Sequence, residues 1–448
     1  MNNSSIDESD IAPVPQTRAA SQPDTGRSGR LTGGVRATFI SLRTRNFRLF
    51  FIGQTISNTG NWLTNIALTL LVLNLTDSGT AIGLLAACQY GPMLIISVFA
   101  GALVDRYDKR RFLLLTQMTE MAQSVGLAVL AFLPNPPIAG LFALAICGGI
   151  ALSFDNPLRR SFVSEMVPPE DIPNAVVLYS TIVNTSRIIG PALAGVLVTT
   201  AGYGWAFLLD AVSYLAVLIC LVLMRPDELY RRQRSGRTGG TVGEGIRYIA
   251  STPNLWIPFL MLSVIGTLAY NFTVTLPLFV TKALDGSDQQ YTVLYSVFSV
   301  GAIACALFIA SRSMVSLRHI VRGAAILGVT MLLLGLAPGF VTALPAVFLV
   351  GIGGILYMTA TTTNFQIEAK PEMHGRVLAL QSAALIGTSA IGGPLLGGLS
   401  DVFGARVLIE FGGLVCLVSA VGGYLCIRRY IEAGDNDGQQ HGTQLTKA

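Results

Sequence analysis

The sequence predicts an all-α membrane protein of twelve transmembrane helices, built as two pseudo-symmetric six-helix bundles with both termini cytoplasmic. Three observations carry that expectation: the composition, the number of apolar runs and the placement of the basic residues. Of 448 residues, 52% are hydrophobic and 12% charged, and the mean hydropathy is +0.59. Soluble domains carry about 25% charged residues. No soluble core could hide so much apolar surface, so the solvent is lipid.

A membrane helix needs about 20 apolar residues. Twelve runs meet this, at 48–73, 80–104, 111–133, 136–157, 174–200, 203–224, 255–281, 289–311, 318–337, 341–364, 376–400 and 403–427. Orientation follows from Lys and Arg, which accumulate on the cytoplasmic side. With the N-terminus inside, the tails and inner loops hold 27 of the 30 basic residues. The outer loops then hold only Lys282 and Arg406, while Arg187 lies within a span.

The remaining segments complete the organisation. Residues 1–45 are polar, lack an apolar signal-peptide core and read as a disordered cytoplasmic tail. Bundles at 46–224 and 255–430 flank a basic cytoplasmic linker at 225–254, and 431–448 form a cytoplasmic tail. The linker ends in "VGEGIRYIAS", which suits a short amphipathic helix on the inner surface. All six cysteines lie in apolar runs without a C-x-x-C pair, which points to packed thiols and neither disulfides nor a metal site.

An offset of 203 residues aligns the two halves: Glu165 falls on Glu368, Pro168 on Pro371, Gly190-Pro191 on Gly393-Pro394, and Gly195 on Gly398. Thus "EMVP" matches "EAKP", and "GPALAG" matches "GPLLGG". Single glycine matches carry little weight in so glycine-rich a chain. Paired E-x-x-P and G-P-x-x-x-G matches in one register carry more. Parallel repeats enclosing a mid-membrane site are a transporter architecture.

With these features in view, the chain resembles the major facilitator superfamily. The loop "GALVDRYDKRR" after the second span is similar to that family's G-x-L-x-D-R-x-G-[RK]-[RK] signature through Gly101, Leu103, Asp105, Arg106, Lys109 and Arg110. Asp108 stands where the family has glycine. The stretches "FRLFFIGQTISNTGNWL", "FDNPLRRSFVSEMVP", "NTSRIIGPALAG" and "AFLLDAVSYLA" resemble the twelve-span drug:proton antiporter branch, which includes macrolide-efflux and enterobactin-exporter-like proteins. The resemblance covers about residues 45–430. It implies that Gly101, Asp105, Arg106, Lys109 and Arg110, with Asp155 at the inner end of the fourth span, form a charged latch between the halves.

The residues themselves suggest three further groups. Gln54, Asn58, Asn61 and Asn65 recur at helical spacing and share one face of the first span. Amides facing lipid are costly, so this face looks into the bundle, as cavity lining or as interhelical glue. Tyr270 and Asn271 in the seventh span and Tyr357 in the tenth are parallel cavity candidates. Ionisable residues inside spans are functional candidates by default. Here they are Glu120, Arg187, Asp210 and Glu410. No histidine lies in a span, so a proton carrier must be a carboxylate, and Arg187 can pair with its deprotonated form. Finally, Gly190, Pro191, Gly195, Gly393, Pro394 and Gly398 mark helices that pack closely or bend.

No H-E-x-x-H, nucleophile elbow, Walker loop or Cys/His cluster occurs, which argues against an enzyme, against ATP drive and against any cofactor. The leading expectation is a monomeric, proton-coupled exporter of small amphipathic molecules in the cell membrane, with protons, substrate and lipid as partners and no nucleic acid. A proton-coupled uptake symporter for a polar metabolite is the alternative, and a membrane sensor or enzyme the least favoured.

Overall fold

The computed structural model describes residues 39–104, 107–230, 242–309, 316–370 and 373–445. Asp105 and Arg106 of the expected latch lie outside the described residues, as do Pro371 of the repeat and most of the N-terminal tail. The described residues are helical with no β-strand.

Six long helices come first: α1 (Arg45–Thr76), α2 (Gly79–Val104), α3 (Lys109–Ala131), α4 (Ile138–Val163), α5 (Ile172–Thr200) and α6 (Tyr203–Leu223). A short helix, α7 (Val242–Ser251), occupies the expected amphipathic segment and buries Ile249. Then follow α8 (Pro253–Leu268), α9 (Phe272–Leu278), α10 (Asp288–Ile309), α11 (Leu317–Gly335), α12 (Phe340–Glu368), α13 (His374–Phe403) and α14 (Ala405–Leu445).

Among the described residues, eleven helical segments are long and apolar enough to cross a membrane. Of the twelve expected spans, α1 is the one that falls short. It is 32 residues long, but Gln54, Asn58, Asn61 and Asn65 dilute its hydropathy. Large apolar side chains such as Ile95, Leu115, Val222, Leu307 and Val418 point outward and exposed, as lipid-facing positions do.

The expected seventh span is interrupted. It is α8, a break at 269–271, α9 and one π-helical turn, Phe279–Ala283. Asn271 explains the break: its Nδ2 donates to the carbonyls of Gly266 (2.8 Å) and Thr267 (3.0 Å). These are the acceptors a continuous helix would have given to the backbone N–H groups of Tyr270 and Asn271. Tyr270 N–H instead reaches Ile265 O at 2.8 Å.

The packing pattern repeats. Helix α1 lies against α5 and α6, α2 against α4, and α3 against α4 and α6. In the same relations α8 lies against α13 and α14, α10 against α12, and α11 against α12 and α14. The positive-φ residues are also paired: Asp77 (φ 46°) and Asp285 (φ 49°) end the first long segment of each series, while Gly202 (φ 90°) and Gly404 (φ 89°) turn the chain from α5 to α6 and from α13 to α14. The two pairs lie 208 and 202 residues apart, close to the motif offset of 203 without matching it.

Two seams join the series. In one, α2 meets α13 at glycine: a Cβ on Gly83 would lie 2.8 Å from the Pro394 Cα and strike the Gly393 carbonyl, so the two backbones touch. In the other, α5 meets α10, with Gly195 against the side chain of Thr292 and the Arg187 carbonyl accepting from Ser299 Oγ at 3.2 Å.

Candidate functional site

The charged groups buried in the first six helices converge on one cluster. Asp210 on α6 is fully buried. Its Oδ2 accepts from Thr64 Oγ1 (2.7 Å) on α1 and Ser124 Oγ (2.8 Å) on α3, and its Oδ1 from Ser213 Oγ (3.1 Å). Gly60 on α1 makes room for this carboxylate, because a Cβ there would collide with Asp210 Oδ1 and Ser213 Oγ. Beside it, Glu120 on α3 accepts from Gln117 Nε2 at 2.8 Å and pairs with Arg159 Nη2 at 3.4 Å. Gln117 Nε2 also donates to Asp155 Oδ1 at 2.8 Å, so one amide bridges two carboxylates. Asp155 further accepts from Thr116 Oγ1 (3.2 Å) and pairs through Oδ2 with Arg159 Nε, one helical turn away on α4.

A cavity of about 80 Å³ opens against this cluster and is lined by Asn61, Asn65, Tyr90, Glu120, Asp210 and Tyr214 among others. A water molecule needs roughly 10–15 Å³ of such space, so the cavity has room for a few. Asn61 donates to Tyr214 Oη at 3.1 Å and Asn65 to Tyr90 Oη at 3.3 Å. The cavity is therefore polar, hydrated in size and in contact with two carboxyl groups.

The amide face of α1 divides at this point. Asn61 and Asn65 reach the cavity, whereas Asn58 donates back to Gln54, to its carbonyl at 2.8 Å and its Oε1 at 3.1 Å. Asn271 is spent on the helix break, and Tyr357 is fully buried in the core around α12. Tyr270 packs edge-on against Phe272, with ring centroids 5.0 Å apart. Glu410, expected as the counterpart of Asp210, lies apart from the cavity against Gly335 on α11. Arg187 is also outside the cluster: its guanidinium lies 5.3 Å over the ring of Trp62.

Of the expected latch, Gly101 lies in α2. Lys109 pairs with Glu165 at 2.6 Å, and Arg110 donates to the carbonyls of Leu221 (2.8 Å) and Val222 (3.1 Å). All these partners belong to the first six helices, and so do those of Asp155. The described charges that bridge the two series gather at the opposite end. Asp401, on the last turn of α13, accepts from Gly79 N (2.7 Å), Thr80 N (2.8 Å), Thr80 Oγ1 (2.8 Å) and Ser78 Oγ (2.9 Å). Lys282 lies 3.5 Å from Asp77 and 3.6 Å from Asp401, and Asp288 accepts from Asn74 Nδ2 (2.9 Å) and Tyr203 Oη (2.5 Å).

The glycines marked for bending are mostly contact points. Gly190 receives Trp62, Gly195 receives Thr292, and Gly393 lies against Ala86 and Gly83, while Gly398 has only Thr80 Oγ1, at 3.8 Å. Pro191 and Pro394 both sit inside their helices.

Sequence reasoning passed over Arg159, Gln117, Thr64, Ser124 and Asp401. Arg159 was counted among inner-loop cations. The i,i+4 spacing of Asp155 and Arg159 in "DNPLR" was the signal available for it. Thr64 and Ser124 carried none, because their role depends on three helices meeting.

A buried acid cluster on a polar cavity, inside a fold of long apolar helices with an internal repeat, fits a membrane transporter. Comparison with known proteins agrees. Residues 36–446 match the family model for transmembrane secretion effectors, and the chain belongs to that family of major facilitator superfamily efflux transporters. It is 26% identical to the staphyloferrin A transporter of Staphylococcus aureus over 371 residues, covering 80% of this chain and 90% of that protein. It is 25% identical to the enterobactin exporter EntS of Shigella flexneri over 360 residues, covering 79% and 84%. Among solved structures, the fold is similar to a bacterial homologue of the human lysosomal transporter Spinster in an inward-facing, unoccupied conformation (TM-score 0.69, 15% identity, 87% and 98% covered). It is also similar to a POT family transporter (TM-score 0.68, 14% identity, 86% and 96% covered).

Proposed function

We propose that this transporter is a proton-coupled exporter of small amphipathic compounds, siderophores, drugs or secondary metabolites among them, working by alternating access. Its two six-span bundles are α1–α6 and α8–α14, with α8 and α9 together forming one span. Both termini are cytoplasmic, so the end carrying Asp77, Asp288 and Asp401 faces outward. The protein acts as a monomer in the cell membrane. The observation that carries the proton role is the cluster itself. Three carboxyls, Asp155, Glu120 and Asp210, are buried beside one guanidinium, Arg159, which pairs with Asp155 and Glu120, while Asp210 has only hydroxyl partners. Uncompensated charge inside a membrane is costly, and protons from the cavity are the neutralising agent at hand. The name of one relative, the enterobactin exporter EntS, supports the export reading.

The test uses everted vesicles from an efflux-deficient host and a radiolabelled panel that includes staphyloferrin A and enterobactin. An acid vesicle interior should drive accumulation by the wild type. Asp210→Asn should lose the gradient-driven component yet retain exchange of substrate across the membrane. Equal accumulation by both proteins under every gradient overturns the role of Asp210. Accumulation that never exceeds that of vesicles lacking the protein overturns export of the panel.

A further inference from the structure

Arg187 is the one basic residue that the sequence places inside a span, away from loops and tails, and the acid cluster does not use it. Its guanidinium carries five donors in a planar fork and no acceptor. Its Nε is buried with no hydrogen-bond partner among the described residues. No carboxylate is paired with it among the described residues: Asp155 and Glu120 pair with Arg159, and Asp210 accepts from three hydroxyls.

What surrounds it is aromatic. The indole of Trp62 lies beneath the guanidinium at 5.3 Å, a distance at which the ring face attracts a cation. Gly190, one turn along α5, sets that placement, because any side chain there would collide with Trp62. Trp62 in turn contacts Tyr295 of α10, ring centroids 6.2 Å apart. Tyr295 packs in turn on Phe298, ring centroids 5.7 Å apart. The site therefore draws on both helix series and lies on the seam between α5 and α10.

We propose that Arg187, with Trp62 and Tyr295, is a binding site for organic anions: a carboxylate or phenolate docks on the guanidinium while the apolar body of the ligand lies on the rings. Three features favour an anion over a neutral or cationic ligand. The group is cationic, it lacks an acidic partner, and its planar fork suits a carboxylate. A cation would meet repulsion with nothing to offset it. A neutral solute would leave the guanidinium uncompensated in a medium of low polarity. One fixed positive charge is enough to select the sign of the ligand.

The proposal rests on the transporter reading above, but its test needs no gradient and no turnover, so failure here and failure of proton coupling are separate results. Full-length purified protein carrying Trp205→Phe and Trp256→Phe keeps Trp62 as its sole tryptophan. Its fluorescence is titrated with three probes of one skeleton: 4-phenylbutyrate, 4-phenylbutyramide and 4-phenylbutylammonium. We expect saturable change with the anion at least tenfold tighter than with the amide, and weakest binding of the cation. Arg187→Gln should weaken the anion about tenfold and leave the amide within twofold, which also shows that the variant folds. Added salt should weaken the anion more than the amide, a readout in the Arg187 protein that holds if the variant is unstable. Equal binding of anion and amide, tightest binding of the cation, no saturable response to the anion, or an anion preference that survives Arg187→Gln would each overturn the site.

Discussion

Asp401 and Gly79 are joined by a hydrogen bond from the Gly79 backbone N–H to Asp401 Oδ1, 2.7 Å long and spanning 322 residues of sequence. Gly79 is the first residue of α2, and Thr80 N–H donates to the other carboxylate oxygen. The side chain at the end of α13 therefore caps the N-terminus of α2, where free N–H groups and the helix dipole favour an anion. A cap normally comes from the helix's own chain. Here it comes from the other half of the molecule, so closing this end of the transporter and capping α2 are one event.

The first prediction follows. Hydrogen bonds to charged groups contribute about 1.5–3 kcal/mol, less where water competes, and Asp401 is partly exposed. Losing the set should shift the balance between closed and open ends by roughly tenfold, about 1.4 kcal/mol. Thr292, buried against Gly195 at the start of α10, reports on it. A cysteine placed there should react with a membrane-impermeant maleimide about tenfold faster when Asp401→Ala is added. An unchanged rate would mean that glycine packing alone holds the end shut.

The glycine seam makes a second prediction in the same direction. Gly83 meets backbone, the Gly393 carbonyl and the Pro394 Cα at 2.8 Å from an added Cβ, and backbone cannot rotate away as a side chain can. Gly83→Val should prevent closure, reducing transport at least tenfold while membrane content stays within twofold of wild type. Maleimide reactivity at the same Thr292→Cys position should rise. If transport survives, α2 and α13 do not close on each other during the cycle.

A third prediction concerns Arg159, which is nearly buried and faces Asp155 and Glu120. Removing one partner from a buried pair strands the other charge, at a cost of about 3–5 kcal/mol. Arg159→Leu should reduce folded protein in the membrane several-fold. Adding Asp155→Asn removes one stranded carboxylate and should recover part of the loss. A double-mutant cycle on thermal stability in detergent measures the coupling, and additive effects would dismiss the pair as a stability element.

These cases show where sequence reading succeeds and where it stops. Most helix positions were legible because lipid demands about 20 apolar residues per crossing, and the repeated packing relations because paired motifs recur near one offset. The face of α1 was legible as a face: Asn61 and Asn65 reach the cavity, yet nothing local shows that Asn58 turns back onto Gln54. Asn271 looked like a wall residue because amides in spans suggest cavities, and only the backbone path reveals it holding a helix break. Arg159 and Asp401 stand at span ends, where charge is unremarkable. Their partners come from other helices, and that proximity is a property of the fold.

The last prediction concerns Asp108, the residue that departs from the glycine of the loop signature. It is the N-cap of α3: its backbone is extended (φ −64°, ψ 114°), and Oδ1 accepts from Arg111 N–H at 3.0 Å. Ser, Thr, Asn and Asp cap well, glycine is only a few tenths of a kcal/mol worse, and alanine costs about 1 kcal/mol. Aspartate and glycine are thus two solutions to one problem, starting a helix directly after a tight loop: the first satisfies an orphan N–H and the second exposes it to water. Asp108→Gly should leave transport within twofold of wild type and raise amide hydrogen exchange in the first turn of α3 by less than about twofold. Asp108→Ala should raise exchange there about fivefold, the equivalent of 1 kcal/mol. If Asp108→Gly instead stops transport while exchange is unchanged, the carboxylate acts beyond α3, and the departure from the signature is functional and not a substitute cap.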